Sequence, residues 1–205
     1  MAFGYLLFLA IIFFAADLST AFEAHQDDGR PLPLHLTWQR IIENEERNQM
    51  ITENILQSVQ EHHKPIVLSD RKEHLKTLHK MLSEACQCED AVFEMLEGTL
   101  SARQRQQKID VFTQAAEKKN PACIFATSSL LGEGFDLPML DTLFLAMPIS
   151  FKGRLIQYAG RLHRSAPGKS KVIVYDYLDE LLPLAASMYR RRLSAYQSMG
   201  YVIRY

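Results

Sequence analysis

Residues 121–164, PACIFATSSLLGEGFDLPMLDTLFLAMPISFKGRLIQYAGRLHR, decide how the chain folds. An apolar run, Ile124-Phe125-Ala126, ends in three small hydroxyl residues, Thr127, Ser128 and Ser129. A glycine-bracketed acidic loop follows, Gly132-Glu133-Gly134-Phe135-Asp136. A second apolar run, Thr142 to Met147, then leads to Gln157, Gly160, Arg161 and Arg164. Residues spaced i, i+3, i+4 and i+7 share one helical face, so these last four form a single stripe. Glycine leaves a bare spot on it where another surface can come close. Two arginines offer planar forks that match phosphate oxygens. Alone, the stripe reads as a solvated basic face. Behind two strands and a glycine loop, it reads as a face turned toward an anion held by something else.

The flanking sequence alternates strands and helices. Leu36 to Glu61 places Leu36, Ile41, Ile42, Ile51, Ile55 and Val59 near helical spacing, which predicts an amphipathic helix in one piece or two. Pro65 to Leu68 is a short strand, followed by helical periodicity through Leu75, Leu78 and Leu82. Ligands sit at strand ends in open parallel sheets, so Ser69 and Arg71 are candidate contacts. The plainer reading is a helix cap with a solvated arginine. Ala91 to Leu96 is a second strand, and Ser101 is placed to cap a basic helix from Ala102 to Lys118. Ala122 to Thr127, Thr142 to Met147 and Val172 to Tyr175 complete five strands, with Pro148 stopping the fourth and Ser150 capping the next helix. Leu181 to Tyr205 reads as a closing amphipathic helix whose Arg190-Arg191-Arg192 run is either a phosphate contact or, the reading favoured, a solvated face. Such alternation specifies an α/β fold, a three-layer parallel sheet with helices on both faces plus flanking N- and C-terminal helices.

Composition narrows the function. With 205 residues and 47% hydrophobic content the chain can bury one good core. A net charge of −1 gives no overall basic field, so any nucleic-acid contact must come from local patches. Three cysteines, with Cys86-x-Cys88 too tight for usual zinc spacing, read as reduced thiols. Met1 to Ala16 is almost wholly apolar. It is shorter than the ~20 residues of a spanning helix. No Lys or Arg precedes it, and no clean cleavage site follows closely. Three readings stand for it: an atypical start, a signal or anchor, or a buried structural segment. The division expected is residues 1–33 as apolar segment and linker, and 34–205 as the domain.

The central stretch resembles motifs V and VI of superfamily 2 helicases, in the DEAD/DEAH-box, type III restriction-enzyme-like group. Thr127 to Asp136 is similar to the motif V loop, Gln157-x-x-Gly160-Arg161-x-x-Arg164 to motif VI, and residues 65–71, the loosest match, to motif IV. The resemblance extends over residues 38–205 and implies the second RecA-like motor domain, of P-loop NTPase type but without the P-loop. It implies that Arg161 and Arg164 act as catalytic arginine fingers and γ-phosphate contacts. It implies a nucleotide-binding role for Gly134, Asp136 and Gln157: Gly134 allows the loop's turn, Asp136 accepts from the ribose hydroxyls, and Gln157 couples nucleotide state to the domain. Ser69, Arg71, Gly98, Arg105 and Thr127 fall where the family touches a nucleic-acid strand.

The first half of such a motor is not in this sequence. A phosphate loop needs strand–GxxxxGK[ST]–helix, and a strand-end acidic pair holds Mg²⁺. Gly168-Lys169-Ser170 has three of the letters but sits in a turn before a strand, and no Asp-Glu-x-Asp or Asp-Glu-x-His box occurs. The expectation is therefore a helicase C-terminal domain, truncated or split and inactive alone as an ATPase. ATP with Mg²⁺ would be shared with a first RecA-like domain in trans, the metal not being held by this chain. The partner would be single-stranded or duplex nucleic acid, DNA favoured over RNA. The compartment expected is cytoplasmic, away from membranes. The alternative is a non-enzymatic nucleic-acid or protein-binding module derived from the same domain.

Overall fold

The computed structural model describes residues 33–132, 135–149, 152–179 and 182–204, and the backbone of 8–15. Strands β1 (Phe8–Ala15), β2 (Pro65–Leu68), β3 (Val92–Leu96), β4 (Ala122–Ala126), β5 (Thr142–Leu145), β6 (Lys171–Leu178) and β7 (Val202–Arg204) form one sheet in the order β3-β4-β2-β5-β6-β1-β7. Every neighbouring pair is parallel. The helices are α1 (Leu34–Glu43), α2 (Glu45–Gln60), α3 (Lys72–Ala85), α4 (Ala102–Glu117), α5 (Ser128–Gly132), α6 (Lys152–Leu162) and α7 (Pro183–Ser198).

Strand alternation sorts the core into two layers. Ile66, Leu68, Ile124, Leu143, Leu145, Val172 and Val174 pack on one face with Phe112 of α4, Leu155 and Tyr158 of α6, and Tyr196 of α7. Val67, Phe125, Phe144, Ile173 and Tyr175 point to the other face, against Ile51 and Ile55 of α2 and Leu75 and Leu78 of α3. Both faces being covered explains why the strands read as continuous apolar runs. The expected three-layer α/β fold is the one observed.

The observed elements differ from expectation in three places. The apolar run near the start supplies β1, which lies inside the sheet between β6 and β7, so the division at residues 33 and 34 cuts through the sheet. Eight consecutive apolar residues suit a strand covered on both faces as well as they suit a signal core. Of the two readings for residues 36–61, the helix in two pieces is the one observed, broken at Asn44, whose side chain caps α2 by accepting from the Arg47 amide at 2.7 Å. The chain after Thr127 turns into the short α5 rather than a loop. The closing helix stops at Ser198; Gly200, at φ +79°, makes the turn into β7. Gly takes this left-handed conformation without the Cβ clash other residues meet. Ser150 lies outside the described residues.

The arginine run is also not uniformly solvated. Arg190 and Arg191 are exposed, but Arg192 is buried and donates twice to Asp176, at 2.7 and 2.8 Å. Tyr196 adds a third hydrogen bond to the same carboxylate, at 2.8 Å. Burial works against the Arg192 charge, yet Asp176 holds its pKa above the ordinary value. Arg47 of α2 makes a matching buried pair with Asp179, at 2.8 Å. Beyond these pairs, Arg47 donates to the Ala146 carbonyl at 2.8 Å and Arg192 to the Ile149 carbonyl at 3.0 Å. Two buried arginines therefore grip the connection between β5 and α6. Among the described residues no helix is long and apolar enough to cross a membrane.

Removing one partner of a buried pair leaves an uncompensated charge, which costs about 3–5 kcal/mol. Asp176→Asn is expected to lower the unfolding free energy by about that amount in urea titration, while Arg191→Ala stays within about 0.5 kcal/mol. Equal, small effects would contradict a structural role for the pair.

Candidate functional site at the carboxyl edge of the sheet

Because the strands are parallel, the residues that follow them gather at one edge, where ligands bind in open α/β sheets. A cleft of about 630 Å³ lies there. Gly98 follows β3, Thr127 follows β4 and Gln157 comes from α6, and all three line it together with Asp70 and Lys72 after β2. Its floor is cross-braced. The Ser128 hydroxyl donates to the Asp70 carboxylate, and the Tyr158 hydroxyl donates to the Ser128 carbonyl at 3.1 Å. Thr127 and Ser129 share a hydrogen bond at 3.0 Å. Gly98 is exposed, and a side chain there would meet nothing within 4 Å, so the backbone is open to a close-approaching ligand. Gly160 is equally open on the outer face of α6.

Arg161 and Arg164 lie against the β4–β5 connection. Arg161 donates to the Phe135 carbonyl, and Arg164 pairs with the Asp136 carboxylate. Arg164 lies just past the end of α6, but its amide donates to the Arg161 carbonyl at 3.4 Å, so the turn carries on and the expected stripe persists. Side-chain exposures of 54% for Arg164 and 40% for Asp136 mark a pair in contact with water. Such pairs contribute about 0–1 kcal/mol, so a ligand can displace one partner at low cost.

Lys169, which the sequence places in a plain turn, holds this corner together. Its ammonium donates to the carbonyls of Pro138 at 2.8 Å, Arg164 at 3.0 Å and Leu162. The three carbonyls belong to the loop after Asp136 and to the end of α6. Burial, with the charge of Lys64 adding and that of Asp141 opposing, pushes the Lys169 pKa down to about 8. Only the Gly-Lys-Ser letters marked it in the sequence, and their usual meaning does not apply in a turn before a strand.

The remaining candidates are dispersed. Ser69 is buried, and its hydroxyl is occupied by the Arg71 amide and the His74 ring, both at 3.2 Å. Its contacts lie just before α3, whose N-cap is Arg71 with no side-chain cap hydrogen bond, so Ser69 is not the helix cap. Arg71 is exposed but lines a separate groove between α1 and α3. Arg105 sits one turn into α4 behind the Ser101–Gln104 capping box, and its Nε is shielded from water with no hydrogen-bond partner among the described residues. Gly134 lies outside the described residues. Lys72, Thr99 and Ser129 line the cleft without having been singled out; their position just after strand ends was the available signal. Among the described residues no group of three or more His, Cys, Asp or Glu side chains could hold a metal ion.

A family model described as the helicase conserved C-terminal domain matches residues 46–166, more than half of the chain. The chain belongs to that family. It is similar in structure to UvsW of T4, with a TM-score of 0.71 at 15% identity, over 97% of this chain and 41% of that one. The C-terminal domain of the DEAD-box protein Dbp5 matches with a TM-score of 0.57 at 14% identity, over 97% of this chain and 90% of that domain. S. cerevisiae Dbp5 bound to RNA and ADP BeF3 matches with a TM-score of 0.57 at 11% identity, over 96% and 41%. The chain thus spans about two fifths of the length of UvsW. No curated protein sequence matches it. Its fold is that of a helicase C-terminal domain.

Removing the Lys169 ammonium breaks three charge-assisted bonds at once, one buried and two part-buried, each worth about 1–3 kcal/mol. Lys169→Met is therefore expected to destabilise the chain by at least about 3 kcal/mol, and Asp136→Ala by less than about 1 kcal/mol. The reverse ranking in urea titration would contradict the assignment of Lys169 as the brace.

Proposed function

We propose that this chain acts as the second motor domain of an ATP-dependent superfamily 2 helicase and works with a first motor domain supplied in trans. The observation that carries the reading is the corner where Arg161 and Arg164 stand together on the 135–136 connection. Phosphoryl transfer is accelerated mainly by positioning and by charge placed around the transferred group. Two guanidiniums on a braced helix end are suited to that task, and an exchangeable pair with Asp136 keeps Arg164 extended until a phosphate competes for it. Asp136, half released in that exchange, is left to accept from ribose hydroxyls, and Gln157 links the nucleotide side to the cleft. Mg²⁺ would supply charge neutralisation at the phosphates, and we place its ligands on the companion domain.

The cleft supports the second half of the reading. The open Gly98 backbone and the Thr127 hydroxyl offer backbone-level contacts of the kind that position a strand without reading its bases. Arg105, one turn into α4, carries a guanidinium of the kind that pairs with phosphate. Dbp5, in its RNA-bound structure, shares this fold, which supports nucleic acid as the ligand; DNA is the form we favour. Fingers without a phosphate cradle have little developing charge to stabilise.

The pure chain is therefore expected to bind single strands in a salt-dependent way while turning over no ATP. Arg105→Ala should reduce the slope of log affinity against log salt by about 1. Mg²⁺-dependent ATP turnover by the pure chain would overturn the half-motor reading, and strand binding indifferent to salt would overturn the phosphate track.

A further inference from the structure

A second cavity, about 410 Å³, runs between α1 and α3 and takes no part in the site above. One face of α1 lines it with His35, Trp38, Gln39 and Ile42, at helical spacing. Trp38 is half-buried and also packs on Ile41, Met147, Leu182 and Ala185, so the ring is held from behind. On the α3 side the wall is firm. His74 is engaged through Nε2 with Asn48 at 2.8 Å and through Nδ1 with Ser69 at 3.2 Å. Burial and the nearby Arg47 charge push its pKa down to about 3, so this ring is neutral.

The groove and the strand cleft meet at one junction. Successive residues between β2 and α3 alternate between them: Asp70 and Lys72 line the cleft, whereas Arg71 and Glu73 line the groove. A strand lying along Gly98 and Thr127 therefore passes Lys72 and reaches Arg71 at the groove. Arg71 makes no side-chain hydrogen bond or ion pair among the described residues. Within the groove a phosphate is disfavoured, since the exposed Glu43 and Glu73 both line the cavity. Carboxylates of that kind accept from the exocyclic amino groups of bases.

We propose that this groove seats one base of a single nucleic-acid strand, stacked on Trp38, with the adjoining phosphate held by Arg71. The inference rests on the strand track of the preceding section and extends it by one nucleotide beyond the cleft. The volume suits such an occupant, since small-ligand sites begin near ~300 Å³. Stacking on an aromatic ring accepts any base, so the groove adds affinity and no strict sequence preference.

Trp38 is the only tryptophan in the chain, so its emission reports the groove directly. The full chain is titrated with a labelled single-stranded oligonucleotide, an abasic strand of equal length, and a free mononucleotide. Anisotropy of the labelled strands and Trp38 emission are followed together. The base-bearing strand is expected to quench Trp38 in step with binding, while the abasic strand binds without quenching. Trp38→Leu should weaken the base-bearing strand about 10-fold, within the range a base–aromatic stack contributes, and leave the abasic strand unchanged. Arg105→Ala should weaken both strands and preserve the quench. Strand binding that leaves Trp38 emission unchanged, or quenching shared by the abasic strand, overturns the base site while the strand track stands. Quenching by the mononucleotide at the same concentration as the strand overturns it in favour of a free-nucleotide site. No binding of any strand overturns the track and this inference together.

Discussion

The short connection between β5 and α6 is gripped from two sides by buried arginines, and the placement of the functional corner depends on that grip. Arg47, reaching from α2, donates to the Ala146 carbonyl; Arg192, reaching from α7, donates to the Ile149 carbonyl. Each arginine is neutralised in turn by an aspartate of β6 or the residue after it, Asp176 or Asp179. Buried ion pairs add little net stability over apolar packing. Their value here is geometric, because planar guanidinium forks fix two carbonyls at the start of the helix that presents Gln157, Arg161 and Arg164.

The other end of that helix is fixed differently. Lys169 collects carbonyls from both α6 and the loop behind Asp136, so loop and helix end move as one body. On top of this braced corner sits the exposed Arg164–Asp136 pair, which water screens and a ligand can replace. Buried contacts hold the frame, and one weak, exposed contact sits on top of it. The same economy is visible at the cleft, where Tyr158 and Ser128 are tied down but the Gly98 backbone remains open.

Much of this was legible in the sequence, for definite reasons. Five strands stood out because strands covered on both faces must be apolar throughout, motif V because a glycine-bracketed acidic loop follows a strand, and motif VI because its spacing put four residues on one helical stripe. β1 was ambiguous because eight apolar residues fit a two-faced strand and a signal core equally well. β7 is only three residues long and carries no pattern. Arg192 and Lys169 were not legible, because charge in a sequence does not announce the buried carbonyls that await it. Ser69 and Arg71 are two positions apart, yet one is buried and the other exposed, since the chain turns from strand to helix between them.

The central claim is that Arg164 completes a nucleotide site whose phosphate cradle lies on another domain. It is tested most directly by mixing the purified chain with a separately expressed first motor domain and following ATP hydrolysis with single strands present. Activity appearing only in the mixture, and falling by ~10³ or more on Arg164→Ala, is the result the account predicts. Hydrolysis unaffected by that substitution, or no hydrolysis in a mixture whose two domains are shown to associate, would contradict it.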